Sequence, residues 1–121
     1  MGYRSEVLFA IDKKVVPLFI AHIASNTAAQ TLCFKYSDEH TKDYLGEGHW
    51  LFRWDHIKWY GSYPEIQAIM SFVGEKLQEL PESFEQAEEY YRLVILGEEV
   101  EDIKDEGWGF DTICISRGID Y

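Results

Sequence analysis

The hydrophobic pattern at the start of the chain predicts a strand followed by a helix. Residues 3–11 alternate apolar and polar side chains and then become apolar at successive positions, which is typical of a strand buried on both faces at its end. Asp12 is expected to cap the following helix, Pro17 to lie in its first turn and Asn26 to end it. The apolar face of this helix comprises Val16, Phe19, Ile20 and Ile23.

The middle of the chain contains two strand-like segments separated by a loop-like one. Residues 28–36 have an apolar period of two, which predicts a second strand, although a helix remains possible there. Residues 37–48 have no sustained period and contain two glycines, which indicates a loop. Residues 49–60 are the most aromatic segment, and their apolar positions change phase near Asp55. This change predicts a strand with a β-bulge.

The second half of the chain predicts one helix and two further strands. The helix is expected to follow the turn at residues 61–64 and to end before Pro81. Its apolar face comprises Ile66, Ile69, Met70, Val73 and Leu77. Residues 90–96 predict a strand, residues 97–109 an acidic connection and residues 112–116 a last short strand.

This order of elements predicts an α+β protein with a ferredoxin-like fold. The split βαβ arrangement, βαββαβ, places two helices on one face of an antiparallel sheet. The acidic loop and an extra C-terminal strand would follow it. The 121 residues contain no repeat and no linker-like stretch, so residues 1–121 are expected to form a single domain.

The net charge of −11 is concentrated towards the C-terminus. Residues 82–111, here called the acidic segment, contain eleven Asp and Glu against Arg92 and Lys104, and so carry nine of the net negative charges. This charge disfavours binding to nucleic acids and to anionic membranes, because both carry negative charge themselves. It favours a protein partner with a basic surface.

The cysteine count and the apolar runs favour the cytoplasm. Cys33 and Cys114 are too few for a disulfide scaffold, and the first residues lack the pattern of a signal peptide. The longest apolar run, residues 15–24, is about half of the roughly 20 residues that a membrane span needs. No membrane association is therefore expected.

The candidate binding residues lie in the acidic segment. Carboxylates there could take the place of DNA phosphates in a basic groove, or could simply keep a loop solvated. The residues expected to bind a partner are Glu98, Glu99, Glu101, Asp102, Asp105 and Glu106, with Trp108 as an apolar anchor.

No motif in the sequence predicts catalysis, a metal or a cofactor. The residue order of an EF-hand loop is absent, and the four histidines lack zinc-binding spacing. Cys33 and Cys114 lie in apolar patterns typical of buried thiols. His22 lies on an apolar helix face, where a histidine is more often a hydrogen-bonded boundary residue than a ligand.

The aromatic segment is expected to contribute mainly to the core. Trp50, Phe52 and Trp54 lack the neighbouring basic residues that would hold a phosphate backbone, although a protein-binding patch or a planar ligand stays open. Asp55 is expected to bond to the backbone or to pair with Arg53 or Lys58 beside the bulge, although with Trp54 and Trp59 as neighbours it is also the best single candidate for a catalytic carboxylate.

Three stretches resemble small acidic proteins predicted from bacteriophage and prophage genomes. They are MGYRSEV, WDHIKWYGSYPEIQAIMSF and YYRLVILGEEVEDIKDEGWGFDTICISRGI, and together they span most of the chain. This resemblance implies a phage accessory protein that acts in the bacterial cytoplasm, where inhibitors of host proteins and of defence systems are common. It implies no catalytic residues.

Three functions follow from these observations. The first is a non-enzymatic protein that binds and inhibits a host protein through the acidic segment. The second is a module that binds a small molecule or nucleotide, with the anion held by Tyr3, Arg4, Arg53, Lys58 and Arg117. The third is a structural or assembly protein that forms homo-oligomers.

Overall fold

The main sheet has five antiparallel strands, and three α-helices occur in the described part of the chain. The computed structural model describes residues 4–80, 84, 86–97, 103–107, 109–110, 113–115 and 119–120. The strands of the main sheet are β1 (Ser5–Ile11), β2 (Glu39–Tyr44), β3 (His49–Ile57), β4 (Tyr91–Leu96) and β5 (Ile103–Glu106). The helices are α1 (Val16–Ile23), α2 (Thr27–Phe34) and α3 (Pro64–Ser71), and a separate two-stranded sheet pairs β6 (Cys114–Ile115) with β7 (Ile119–Asp120). The protein is therefore α+β.

Strand β1 lies at the centre of the main sheet, whose order is β2-β3-β1-β4-β5. Phe9 of β1 lies opposite Phe52 of β3 on one side and opposite Leu93 of β4 on the other. The predicted first strand is thus confirmed, and so is the strand predicted at residues 90–96.

All three helices pack on one face of the sheet. Phe19 of α1 is fully buried there, with its ring 5.6 Å from that of Phe9 and 5.1 Å from that of Phe72. Burial of such a side chain stabilises the fold by about 1.5–3 kcal/mol. The helices contribute Val16, Phe19, Ile23, Ala29, Leu32, Cys33, Ile66, Ala68 and Ile69 to this core.

The opposite face of the sheet is also buried at its centre. Leu8, Ala10, Leu51 and Val94 are fully buried in a second cluster, together with Tyr44 and Ile113, and Phe110 packs against them. Chain segments that follow the main sheet in sequence therefore cover its second face. The expectation that β1 is buried on both faces is confirmed.

The predicted bulge lies where the phase of the aromatic strand changes. Ser5 is opposite Ile57 and Val7 is opposite Trp54, so β3 advances by three residues where β1 advances by two. The extra residue lies beside Asp55. It brings both Trp54 and Ile57 into contact with the helix-side core, as the change of phase predicts.

Residues 28–36 do not form the predicted strand, because most of them belong to helix α2. Asn26 is the N-cap of α2, and its side-chain oxygen accepts a hydrogen bond from the Ala29 amide at 3.0 Å. The helix buries Ala29, Leu32 and Cys33, which are spaced as one helix face. The prediction of two helices is therefore wrong for this part of the chain.

Two predicted connections contain strands. Residues 37–48 include β2, and residues 97–109 include β5, which pairs with β4. The last predicted strand begins at Cys114, but it pairs with β7 outside the main sheet. The fifth strand of the main sheet is therefore β5 and not the C-terminal strand that the sequence predicts.

Helix α1 differs from the prediction at both ends, because it ends at Ile23 and Asn26 caps α2 instead. Pro17 lies in the first turn of α1 as predicted, but the N-cap is Val15, and Asp12 accepts a hydrogen bond from the Lys14 amide instead. The helix predicted to end before Pro81 is confirmed: α3 continues through a π-helical turn and a 3-10 turn to Glu79.

Gly107 has a backbone conformation and a contact that only glycine fits. Its φ is +80°, and a Cβ atom there would overlap the carbonyl oxygen of Tyr91. We expect Gly107→Ala to lower the free energy of unfolding by at least about 2 kcal/mol in urea denaturation. Gly74→Ala is the control, because Gly74 has open space around it and is expected to be neutral or stabilising. Equal effects at the two positions would contradict this assignment.

Candidate functional site

The acidic segment is described in part. Strands β4 and β5 form an antiparallel pair in which Leu96 lies opposite Ile103, and the chain passes between these two residues through the sequence GEEVED. Asp105 and Glu106 lie on β5. The other predicted binding residues fall outside the described residues: Glu98, Glu99, Glu101, Asp102 and Trp108.

Asp105 makes a bidentate ion pair within the protein. Its Oδ1 accepts from Nε of Arg92 at 2.6 Å, and its Oδ2 accepts from Nη2 at 2.8 Å. The Arg92 side chain is 14% exposed and that of Asp105 is 35% exposed. This pair fastens the edge strand β5 to β4, so part of the charge of Asp105 is already neutralised by Arg92.

Glu106 lies on the opposite side of β5, beside a buried phenol. Tyr91 is 5% exposed, and burial raises the pKa of its hydroxyl, with a further increase from the negative charges of Glu106 and Glu88. Glu106 is half-buried. The two described acidic residues of β5 thus interact with other side chains of the protein and are also partly exposed to solvent.

Two regions of the chain carry opposite charge. Residues 13–37, which contain α1 and α2, include Lys13, Lys14 and Lys35 and no Asp or Glu. The acidic segment, with β4 and β5, carries nine net negative charges. A basic partner is therefore attracted to one region of the protein and repelled by the other.

The cations of the predicted nucleotide site are partly occupied. Arg53 pairs with Glu39, at 3.3 Å between Nε and Oε2, and also with Asp55. Arg4 donates to the carbonyl of His56 at 3.3 Å, Lys58 is half-buried, and Tyr3 and Arg117 lie outside the described residues. The predicted pairing of Asp55 is confirmed for Arg53, and an anion would have to compete with two carboxylates there.

The described histidines make ordinary structural contacts. Nε2 of His22 donates to the carbonyl of Ala68 at 2.8 Å and lies 3.0 Å from Oγ of Ser71, which confirms its prediction as a boundary residue. His49 is buried, and its Nδ1 accepts from the Lys13 amide at 3.0 Å. Within the described ranges, no group of three or more His, Cys, Asp or Glu could hold a metal ion.

Cys33 is a structural thiol. It is fully buried in the helix-side core, and burial raises its pKa to about 12. A thiol with such a pKa is almost wholly protonated at neutral pH, and the thiolate is the reactive form. The prediction of a buried thiol is confirmed here, while the side chain of Cys114 lies outside the described part.

The aromatic strand packs mainly in the core, as predicted. Phe52 and Trp54 are almost fully buried, and Nε1 of Trp54 donates to the carbonyl of Leu32 at 3.1 Å. Trp50 is half-buried at the edge of this core. Its ring lies 6.0 Å from that of Phe34 and 5.2 Å from Nζ of Lys42, a distance at which a cation–π contact is favourable.

An apolar groove between α1 and α2 was not predicted from the sequence. This α1–α2 groove has a volume of about 290 Å³ and is lined by Ile20, Ile23, Ala24, Gln30 and Phe34. The groove requires a second helix beside α1, and the sequence predicts a strand at residues 28–36, where that helix lies. Ile20 is 45% exposed although the sequence pattern assigns it to the buried face.

The ion pair of Arg92 and Asp105 is expected to contribute modestly to stability. A double-mutant cycle with Arg92→Ala and Asp105→Ala should give a coupling of about 0.5–1 kcal/mol in urea denaturation, because both side chains are partly exposed. The coupling should decrease at about 0.5 M salt. A coupling of zero at low salt would show that the pair does not hold β5.

Cys33 is expected to resist alkylation in the folded protein. Because burial raises its pKa to about 12, iodoacetamide at about pH 8 should modify it only in molecules that unfold. Peptide mapping after timed alkylation distinguishes Cys33 from Cys114. Addition of urea should accelerate the reaction at Cys33, and rapid modification of Cys33 in the native protein would contradict its burial.

Comparison with known proteins assigns no family. No helix among the described residues has the length and apolar character to cross a bilayer. No protein-family model matches the chain, and comparisons with curated proteins and with solved structures found no match. The function is therefore inferred from the charge distribution and the side-chain geometry of the protein itself.

Proposed function

We propose that this chain is a phage-encoded, non-enzymatic protein that binds a host protein with a basic surface in the bacterial cytoplasm and blocks it. The observation that carries this proposal is the charge of the acidic segment, nine of the eleven net negative charges on residues 82–111. A field of this strength attracts a basic partner and accelerates association. The resemblance to phage proteins adds the origin and the host.

The binding face is centred on the edge of the sheet formed by β4 and β5. Ile103, Lys104 and Asp105 on β5 are exposed, and β5 is an edge strand of the main sheet. Because Arg92 holds Asp105 in place, the strand presents its charge on a fixed scaffold. A carboxylate held in this way loses little conformational entropy when a partner binds.

The residues assigned to the strongest electrostatic contact are those between the two strands. Asp105 is partly neutralised by Arg92, and Glu106 is half-buried beside Tyr91. The remaining members of the binding face are Glu98, Glu99, Glu101 and Asp102, with Trp108 as an apolar anchor. Where the target binds nucleic acid, these carboxylates take the place of phosphates and release the counterions of the basic groove.

The state of the described reactive groups supports a role without catalysis. Cys33 is protonated because burial raises its pKa to about 12. His22 and His49 each form a hydrogen bond with a backbone group. Although Nε2 of His22 lies 3.0 Å from Oγ of Ser71, both groups donate to the carbonyl of Ala68, so the imidazole is not placed to accept the hydroxyl proton.

We assign the fold to the ferredoxin-like class with one added strand. The order β2-β3-β1-β4 with antiparallel neighbours, and helices in both crossovers, supports a split βαβ arrangement. Strand β5 extends this sheet beyond β4. Tyr44, Phe110 and Ile113 cover the face opposite the helices, so the proposed binding face is the β5 edge and not the sheet surface.

The first test is a pull-down from bacterial lysate with the tagged full chain. We expect a basic host protein to be captured at about 0.1 M salt and to be lost at about 0.5 M salt, because salt screens charges at a surface. Glu98→Lys with Glu99→Lys should reduce the capture at least about tenfold. Mass spectrometry identifies and quantifies the captured protein.

The matched control changes the same charge elsewhere on the protein. Glu75 and Glu79 are exposed at the end of the long helix, and Glu75→Lys with Glu79→Lys alters the net charge by the same amount. We expect this variant to capture the partner like the unmodified chain. Capture that resists high salt, or an equal loss with both variants, would refute a binding face in the acidic segment.

A further inference from the structure

The α1–α2 groove is an apolar surface that the rest of the described protein leaves open. Two of its lining residues, Ile20 and Phe34, are 45% and 37% exposed. Gln30, which lines the groove, links α2 to the end of α1, because its Nε2 donates to the carbonyls of Ile23 and Ala24, both at 2.8 Å. A concave apolar site of this kind accepts one or two apolar side chains of a partner.

The rim of the groove is basic. Lys35 follows Phe34 directly, and Nζ of Lys42 lies 5.6 Å from the centre of the Phe34 ring. The acidic residues of β2 are engaged elsewhere, because Glu39 pairs with Arg53 and Asp43 accepts from the Gly48 amide at 2.8 Å. An occupant of the groove should therefore combine an apolar side chain with negative charge.

The edge strand β5 of the same chain has this composition. Ile103 is 50% exposed, the largest exposed fraction of any described large aliphatic residue. Asp105 follows two positions later and therefore lies on the same face of the strand. The sequence immediately before Ile103 is EEVED, the densest run of acidic residues in the chain.

We propose that copies of this chain associate head to tail, with β5 of one copy seated on the α1–α2 groove of the next. Ile103 enters the groove, and Asp105, on the same face of β5, lies towards Lys35 and Lys42. Residues 13–37 contain three Lys and no acidic residue, so the charges of the two surfaces are complementary. The association goes beyond the proposed function, because it needs no host protein.

The contact joins two different surfaces, so it is heterologous. Such a contact closes into a ring or continues into a longer assembly, depending on the angle between the surfaces. Two chains that each carry a net charge of −11 also repel one another as a whole. The self-association is therefore expected to be weak and to depend on protein concentration.

The first experiment measures the mass of the purified full chain by sedimentation velocity over a roughly hundredfold range of concentration. We expect the mean mass to rise with concentration at about 0.1 M salt and to fall at about 0.5 M salt, because charge complementarity is screened. A monomer at every concentration would overturn the proposal. Association that strengthens with salt would also overturn it, since an apolar contact or the net repulsion between two chains of −11 would then outweigh the charge complementarity.

The second experiment separates the two halves of the contact. Ile20→Glu together with Lys35→Glu disables the groove and leaves β5 intact, while Ile103→Lys disables β5 and leaves the groove intact. Each variant alone is expected to associate at least about tenfold more weakly than the unmodified chain. An equimolar mixture should form a one-to-one complex, because one intact groove meets one intact β5. Failure of the mixture to associate would contradict a head-to-tail contact.

Leu18→Glu is the matched control for the Ile20→Glu substitution of the groove variant. Leu18 lies on the same helix as Ile20 and is similarly exposed, 43% against 45%, but it does not line the groove. We expect this variant to associate like the unmodified chain, and an equal loss with Leu18→Glu would count against the groove. Lysate pull-downs test the proposed function independently, so failure of one proposal leaves the other standing.

Discussion

The burial of β1 on both faces and along both edges is the constraint on which the rest of the structure depends. Val7, Phe9 and Ile11 face the helices, while Leu8 and Ala10 face the opposite cluster. The backbone pairs with β3 on one side and with β4 on the other. Because a buried backbone must satisfy its hydrogen bonds and a buried side chain must be packed on every side, β1 requires both partner strands and both covering layers.

This central arrangement leaves the edges of the sheet to carry charge. Among the described strands, β2 and β5 each have one neighbour, and most of their side chains are exposed. Edge strands that carry charged side chains resist uncontrolled strand pairing. The acidic β5 edge and the basic α1–α2 layer thus give the protein two surfaces of opposite charge.

The elements predicted correctly from the sequence are those in which buried residues recur at a regular spacing over several turns or residues. Strand β1, the bulge beside Asp55, the long helix from α3 to Glu79 and strand β4 all have such a pattern. Strand β2 could not be recognised, because Tyr44 is its one buried residue. Helix α2 is short, and its apolar residues fit periods of both two and 3.6, so the cap at Asn26 decides between them.

The candidate sites could be predicted from the sequence to different degrees. The concentration of charge on residues 82–111 is a property of composition and needs no structure. The ion pair of Asp105 with Arg92 depends on the register of β4 and β5. The sequence predicts a connection and no strand at residues 97–109, so this register could not be predicted. The groove depends on two helices lying side by side, a tertiary contact that no local pattern encodes.

The central position of the first strand also constrains how the chain folds as it is synthesised. Phe9 of β1 pairs with Leu93 of β4, so the two halves of this contact are separated by most of the polypeptide. Synthesis proceeds from the N-terminus, and pairing between distant segments pays a large loop-closure entropy before any contact forms. Strand β1 must therefore wait, unpaired on one edge, until the ribosome has released β4.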